Sequence, residues 1–259
     1  MAEAPRARPL AERAVAEGAI LLMLLGWWLT AKDLPDFVLP GPLDVAAAMG
    51  ALAVDPDLAG HVAISFLRVL GAVAAALVVA VALAALVRSG PVAATIVERN
   101  LLVVLNSFPS VGWAILGVIW FSVSNGTVIF IETMIVLPFM LINAIEGFRQ
   151  IDPELDEMGR SLSRSRWRRF AKLQLPLILP FLIAGVRISY GIAWKIALVA
   201  ELFGASSGLG WLLQQAQTRA DAATVFAACL VIVVIFALVD GLLLRPLARR
   251  WSINTGGQS

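Results

Sequence analysis

The sequence is poor in the residues on which most enzymes and redox proteins depend. It holds one cysteine and one histidine, Cys229 and His61. A lone cysteine within the apolar run Val225 to Val239 closes no intrachain disulfide and completes no zinc-binding spacing. With only His61 available, histidine-based metal or triad chemistry is not expected. There is no G-x-x-x-x-G-K-[ST] phosphate loop, so the chain itself is not expected to bind ATP. The stretch Gly204 to Gly210 (GASSGLG) lacks the lysine and reads as a tight loop. HExxH is missing, which argues against zinc-protease chemistry. Charge is scarce too: 15% of residues are charged, against about 25% in soluble domains.

What is abundant is apolar. Hydrophobic residues make up 60% of the chain and the mean hydropathy is +0.87. That is more than one aqueous core can hide, so lipid must solvate much of the surface. Runs long enough to cross a bilayer lie at Val15–Ala31, Val62–Val87, Val92–Val123, Thr127–Phe148, Leu177–Phe203 and Ala223–Leu244. The first follows a basic N-terminus, as a signal peptide would, but Trp27-Trp28 before Lys32 reads as an interfacial anchor of a retained helix. The third is too long for one straight span. Pro109 removes a backbone donor in its middle, so a surface segment to about Asn106 and a shorter span from Pro109 are expected.

The net charge of +2 and pI near 9.1 do not indicate nucleic acid, because the basic residues follow the membrane. With the N-terminus inside, Arg6, Arg8, Arg13, Arg88, Arg99, Arg149, the cluster Arg160 to Lys172, Arg245, Arg249 and Arg250 all fall on the cytoplasmic side. The segment after the first span carries Asp33, Asp36, Asp44, Asp55 and Asp57 instead. This asymmetry fits six alternating spans with both termini cytoplasmic.

The segment between the fourth and fifth spans is longer than a connection requires. Asp152-Pro153-Glu154 offers an N-cap, a proline at the first helical position and an acidic first turn. Leu155, Met158 and Leu162 then recur as one apolar stripe. Ser165 caps a second short helix, Arg166 to Leu173. The basic residues alone fit headgroup binding as well as docking; the stripe and double capping point to a docking surface.

Residues 157–165, Glu-Met-Gly-Arg-Ser-Leu-Ser-Arg-Ser, followed by Phe170 and Leu175-Pro176, resemble the EAA loop of bacterial ABC importer permeases. Leu39-Pro40-Gly41-Pro42, Ser65 with Arg68-Val69, Ala193-Trp194, Ala200-Glu201 and Ser207-Gly208-Leu209-Gly210 extend the likeness to the nitrate/sulfonate/taurine-type family. Two positions depart from it: Ser163 replaces the loop's usual glycine, and Ser122-Val123-Ser124-Asn125 replaces a G-x-G-E-like sequence.

The resemblance implies an all-α membrane protein of the type I importer permease kind: one transmembrane domain over residues 1–259, six spans, and a coupling loop at 149–175. It implies a non-enzymatic permease subunit in the bacterial inner membrane. ATP and magnesium would act in two separate ATP-binding cassette subunits. A second permease copy would complete a homodimer, and a periplasmic solute-binding protein would deliver a small anion such as a sulfonate, taurine or nitrate. Coupling would fall to Asp152, Leu155, Glu157, Met158, Gly159, Arg160, Leu162 and Ser163. Ionisable residues in spans usually face a cavity or a partner, so Glu132, Arg187, Tyr190, Trp194, Lys195 and Glu201 are candidates for the translocation pathway. Packing between helices explains Arg187, Lys195 and Glu201 equally well. Asp240 reads as a headgroup-level residue near the end of its span. An ion-coupled secondary transporter, with Glu132, Arg187 and Glu201 as a relay, or a non-transporting scaffold also fits the residues alone.

Overall fold

The computed structural model describes residues 10–162 and 164–247, and the described residues form helices and loops without a strand. The helices are α1 Leu10–Asp33, α2 Pro42–Val54 and α3 Pro56–Val87. Next come α4 Pro91–Ser107, α5 Ser110–Phe121, α6 Asn125–Arg149 and α7 Pro153–Leu162. The last are α8 Arg166–Gly204, α9 Leu209–Thr218 and α10 Ala222–Leu247.

Prolines set several of these boundaries. Pro42, Pro56, Pro91 and Pro153 each open a helix, where the missing amide costs nothing. Pro109 instead ends one. It forces Phe108 into extended backbone (ψ 127°), and α4 and α5 meet at 91°. The break expected near Asn106 thus falls at Phe108-Pro109. Helix α5, 12 residues and about 18 Å long, is too short to cross alone.

Four helices, α3, α6, α8 and α10, are long and apolar enough to span a membrane, and the bent α4–α5 pair makes up to five. The first run expected from the sequence, Val15–Ala31, lies on α1, which is outside that set; its 24 residues reach about 36 Å and Ile20 to Leu25 are exposed.

One difference concerns the segment before the fifth span. The helix from Arg166 does not stop at Leu173; it runs unbroken into the span, giving α8 its 39 residues. A π-turn over Phe170–Gln174 ends just before Leu175-Pro176, where Leu175 N–H bonds to Phe170 O. The wider turn carries the chain past a proline that would otherwise break the helix.

The described helices gather into two compact units. In the first, which ends at Ala59 and includes Leu213–Val231, Trp27 Nε1 donates to Pro40 O (3.0 Å) and its ring stacks on Phe226. In the second, Gly60–Leu212 and Ile232 onward, α6 is the buried centre and α8 packs along it. Small residues permit that approach: a Cβ on Gly185 would lie 3.0 Å from the Asn143 Cβ, and one on Gly147 3.0 Å from the Phe181 Cβ.

Candidate functional site

Three features of the second unit carry the sequence's candidate residues. The first is α7 and the foot of α8. Asp152 Oδ1 accepts from Glu154 N (2.8 Å), and Ser165 Oγ accepts from Arg168 N (3.4 Å). Leu155, Glu157, Met158 and Leu162 are exposed, Leu162 at 77%. The apolar stripe therefore points away from the protein. Gly159 is buried, and a Cβ there would collide with Leu173 Cδ2 at 2.5 Å. It is the contact by which α7 seats against α8. Arg160 turns toward a groove beside α3. Ser163 lies outside the described residues.

The second feature is a buried ion pair that the sequence did not announce. Arg68 on α3 and Glu201 on α8 meet at 2.7 Å, with side chains 3% and 0% exposed. Arg68 also donates to Asn125 Oδ1 through Nε (3.0 Å), and to the carbonyl and hydroxyl of Ser207 (2.7 and 2.8 Å). Glu201 accepts in addition from Ser65 Oγ (2.7 Å) and Gly210 N (2.8 Å). Leu209 N donates to Ser65 Oγ, and Gly208 N to His61 Nδ1, whose ring stacks on Trp211. Gly208 has φ +106° and lies against the Glu201 carboxylate, a place and a conformation that only glycine fills without strain. The loop between α8 and α9 is thus bolted to α3 and to the start of α6.

Burial of two charges is tolerable only when their remaining donors and acceptors are met, as they are here. Glu201 is a structural clasp with its lone pairs occupied. The i, i+7 spacing of Arg187 and Trp194 gave the face they share, whereas the partnership of Arg68 and Glu201 spans 133 residues and has no local signal.

The third feature is a cleft of about 570 Å³ between α8 and α10. Arg187, Trp194 and Lys195 line it. Arg187 Nε lies 2.6 Å from Asp240 Oδ1, and Arg245 Nε 2.7 Å from Asp240 Oδ2. Asp240, near the end of its span, is 3% exposed. It opens the π-turn Asp240–Leu244, and the guanidiniums of Arg187 and Arg245 cover its carboxylate. Lys195 is exposed and lies on the outward stripe of α8 with Ile188 and Val199. Tyr190 is buried behind the cleft, stacked on Phe236. Glu132 is not in the cleft: it is 0% exposed on α6, and neither carboxylate oxygen has a hydrogen-bond partner among the described residues. No group of three or more metal-ligating side chains occurs among the described residues.

The family profile described as binding-protein-dependent transport system inner membrane component matches residues 72–252. The taurine transport system permease TauC of Escherichia coli is 27% identical over 240 residues, covering 90% of this chain and 86% of that protein. The putative aliphatic sulfonates transport permease SsuC of Bacillus subtilis is 29% identical over 208 residues, 78% and 73% of the two chains. Among solved structures, the inward-facing MetNI methionine ABC transporter aligns with a TM-score of 0.53 at 16% identity, covering 79% of this chain and 94% of that one.

Proposed function

The chain belongs to the binding-protein-dependent transport system inner membrane components, and within that family of ABC transporter permeases we propose that it serves an ATP-driven importer of small anions. Two copies pair around the path, and a solute-binding protein delivers the cargo from outside. Two ATPase subunits, where ATP and magnesium act, dock on α7. Both termini face the cytoplasm, a reading supported by the basic residues at Arg88, Arg149 and Arg160 to Lys172.

The observation that carries the proposal is the exposed stripe of Leu155, Met158 and Leu162 on a helix seated, through Gly159, against the foot of α8. A surface helix with an outward apolar face needs a partner to cover it. Because α8 is continuous from Arg166 to Glu201, a push on α7 travels along one rigid rod to the Arg68–Glu201 clasp, about 50 Å away. Motion of the ATPases thereby reaches the far side of the membrane as a rigid-body movement.

The cargo class rests on Lys195, a cation on the exposed stripe of α8 with no ion-pair partner among the described residues. Relatives named for taurine and aliphatic sulfonates agree with an anionic cargo. Co-purification tests the coupling. The wild-type chain should retain an ATP-hydrolysing subunit in detergent, and Glu157→Arg should release it. Full retention by the variant would refute docking through α7.

A further inference from the structure

A groove of about 810 Å³ lies between the second half of α3 and the foot of α8, apart from both the α7 stripe and the α8–α10 cleft. Its two ends differ chemically. One wall is apolar, Val78, Val81 and Ala85 on successive turns of α3. The other end carries Arg88, Arg160, Arg166 and Arg169. Among the described residues that line it, none is acidic. Arg88 Nη1 donates to Phe148 O (3.1 Å), while Arg169 Nε is shut off from solvent with no partner among the described residues.

The dimensions match a lipid. From Leu77 to Arg88 α3 rises about 16 Å, close to one leaflet of a hydrocarbon core about 30 Å thick. The arginines therefore fall at headgroup depth with apolar wall beneath them. Trp167, 73% exposed at the same end, is the residue type that settles at that interface. A soluble acidic peptide would satisfy the arginines but leave Val78 and Val81 uncovered. A phospholipid satisfies both.

We propose that this groove is a binding site for an anionic phospholipid, its phosphate held by Arg166 and Arg169 together with Arg88 and Arg160, and one acyl chain lying along Val78, Val81 and Ala85. Basic pockets between membrane helices recognise anionic headgroups through this combination. The assignment to the cytoplasmic leaflet rests on the orientation proposed above. The site braces the base of α8, so bound lipid stiffens the rod to which α7 is attached.

The test uses the full-length chain in phosphatidylcholine nanodiscs, titrated with dioleoylphosphatidylglycerol and read by native mass spectrometry. Wild type should retain phosphatidylglycerol in preference to phosphatidylcholine. Arg166→Gln with Arg169→Gln should weaken retention about tenfold or more, at roughly 1 kcal/mol per basic residue. Val78→Trp, which keeps every charge but fills the groove, should weaken it as well. Arg219→Gln, outside the groove, should not. Equal retention by wild type and the double variant overturns the proposal. So does binding of soluble glycerol phosphate as tight as that of the lipid, or displacement of the lipid when the ATPase subunit is added. Lipid retention unaltered by Glu157→Arg keeps this result separate from the docking of the ATPase.

Discussion

Arg68 and Glu201 sit 133 residues apart in sequence and 2.7 Å apart in space, both almost fully out of contact with solvent. Each satisfies the other's charge, and neighbours fill the remaining valences: Asn125 and Ser207 for the guanidinium, Ser65 and Gly210 N for the carboxylate. Removing one member strands the other in a medium that cannot solvate it. Glu201→Gln or Arg68→Ala should each cost about 3–5 kcal/mol, and the double replacement less than their sum. Unfolding of the purified chain in detergent titrated with dodecyl sulfate measures this. A loss below about 1 kcal/mol for both single variants would show that water reaches the pair.

Ser122 offers the opposite sign. Its backbone stands at φ 56°, ψ −169°, a region that belongs to glycine. The conformation is held because Ser122 O accepts from Thr127 Oγ1 and because Ser124, the N-cap of α6, donates its N–H to Gly204 O at 3.0 Å. Its side chain makes no hydrogen bond among the described residues that would be lost. Ser122→Gly should stabilise the chain by about 1 kcal/mol, and Ser122→Ala, which keeps the Cβ, should not. The same titration reads both.

What the sequence made legible depends on the range over which each signal acts. The break at Pro109, the cap at Asp152 and the stripe on α7 are local, written in spacings of a few residues, and they lie where the periodicity put them. Charges inside spans announced that they needed partners. They did not say which, because Arg68 and Arg187 choose theirs through helix packing that no local pattern encodes. Asp240 is a further case: its nearness to the end of its span is local, whereas the arginine it pairs with lies 53 residues earlier. The continuity of α8 was hidden for a different reason. Leu175-Pro176 reads as a stop, and a π-turn that lets a proline through leaves no mark in composition.

Gly159 ties the coupling helix to its rod, so enlarging it tests transmission without touching the proposed docking face. A Cβ there meets the δ-methyl of Leu173 at 2.5 Å, so a branched side chain must displace Leu173 and loosen the α7–α8 contact. Gly159→Val should leave membrane insertion intact and lower cargo-stimulated ATP hydrolysis in the assembled complex by tenfold or more. Met158→Glu, on the exposed face, should release the ATPase instead. Normal stimulation in Gly159→Val would mean that the α7–α8 contact carries no force.

Lys195 separates cargo recognition from assembly. It stands on the exposed side of α8 with Ile188 and Val199 and lines the α8–α10 cleft, where a cation is costly unless it meets an anion. Lys195→Ala should keep the complex assembled and its basal ATP hydrolysis unchanged. Stimulation by binding protein loaded with a sulfonate should fall several-fold, and Lys195→Arg should restore part of it. Unchanged stimulation in Lys195→Ala would assign the residue to the lipid-facing surface.

Asp240 between two arginines makes a prediction about redundancy. The carboxylate is the buried member, its side chain 5% exposed, whereas those of Arg187 and Arg245 are 41% and 60% exposed. Losing either arginine leaves the carboxylate one close cation, and the freed space admits water or lipid headgroups, so Arg187→Gln and Arg245→Gln should each cost about 1 kcal/mol or less. Losing both leaves a buried anion with no counter-charge, the costly event. The double variant should therefore exceed the sum of the singles by more than about 1 kcal/mol, a coupling with the sign opposite to that expected for Arg68 and Glu201. Adding Asp240→Asn to the double variant should recover most of the loss, because it removes the stranded charge itself. Strict additivity, or no rescue by Asp240→Asn, would mean that a third cation already compensates Asp240, for which Lys195, in the lining of the same cleft, is the candidate.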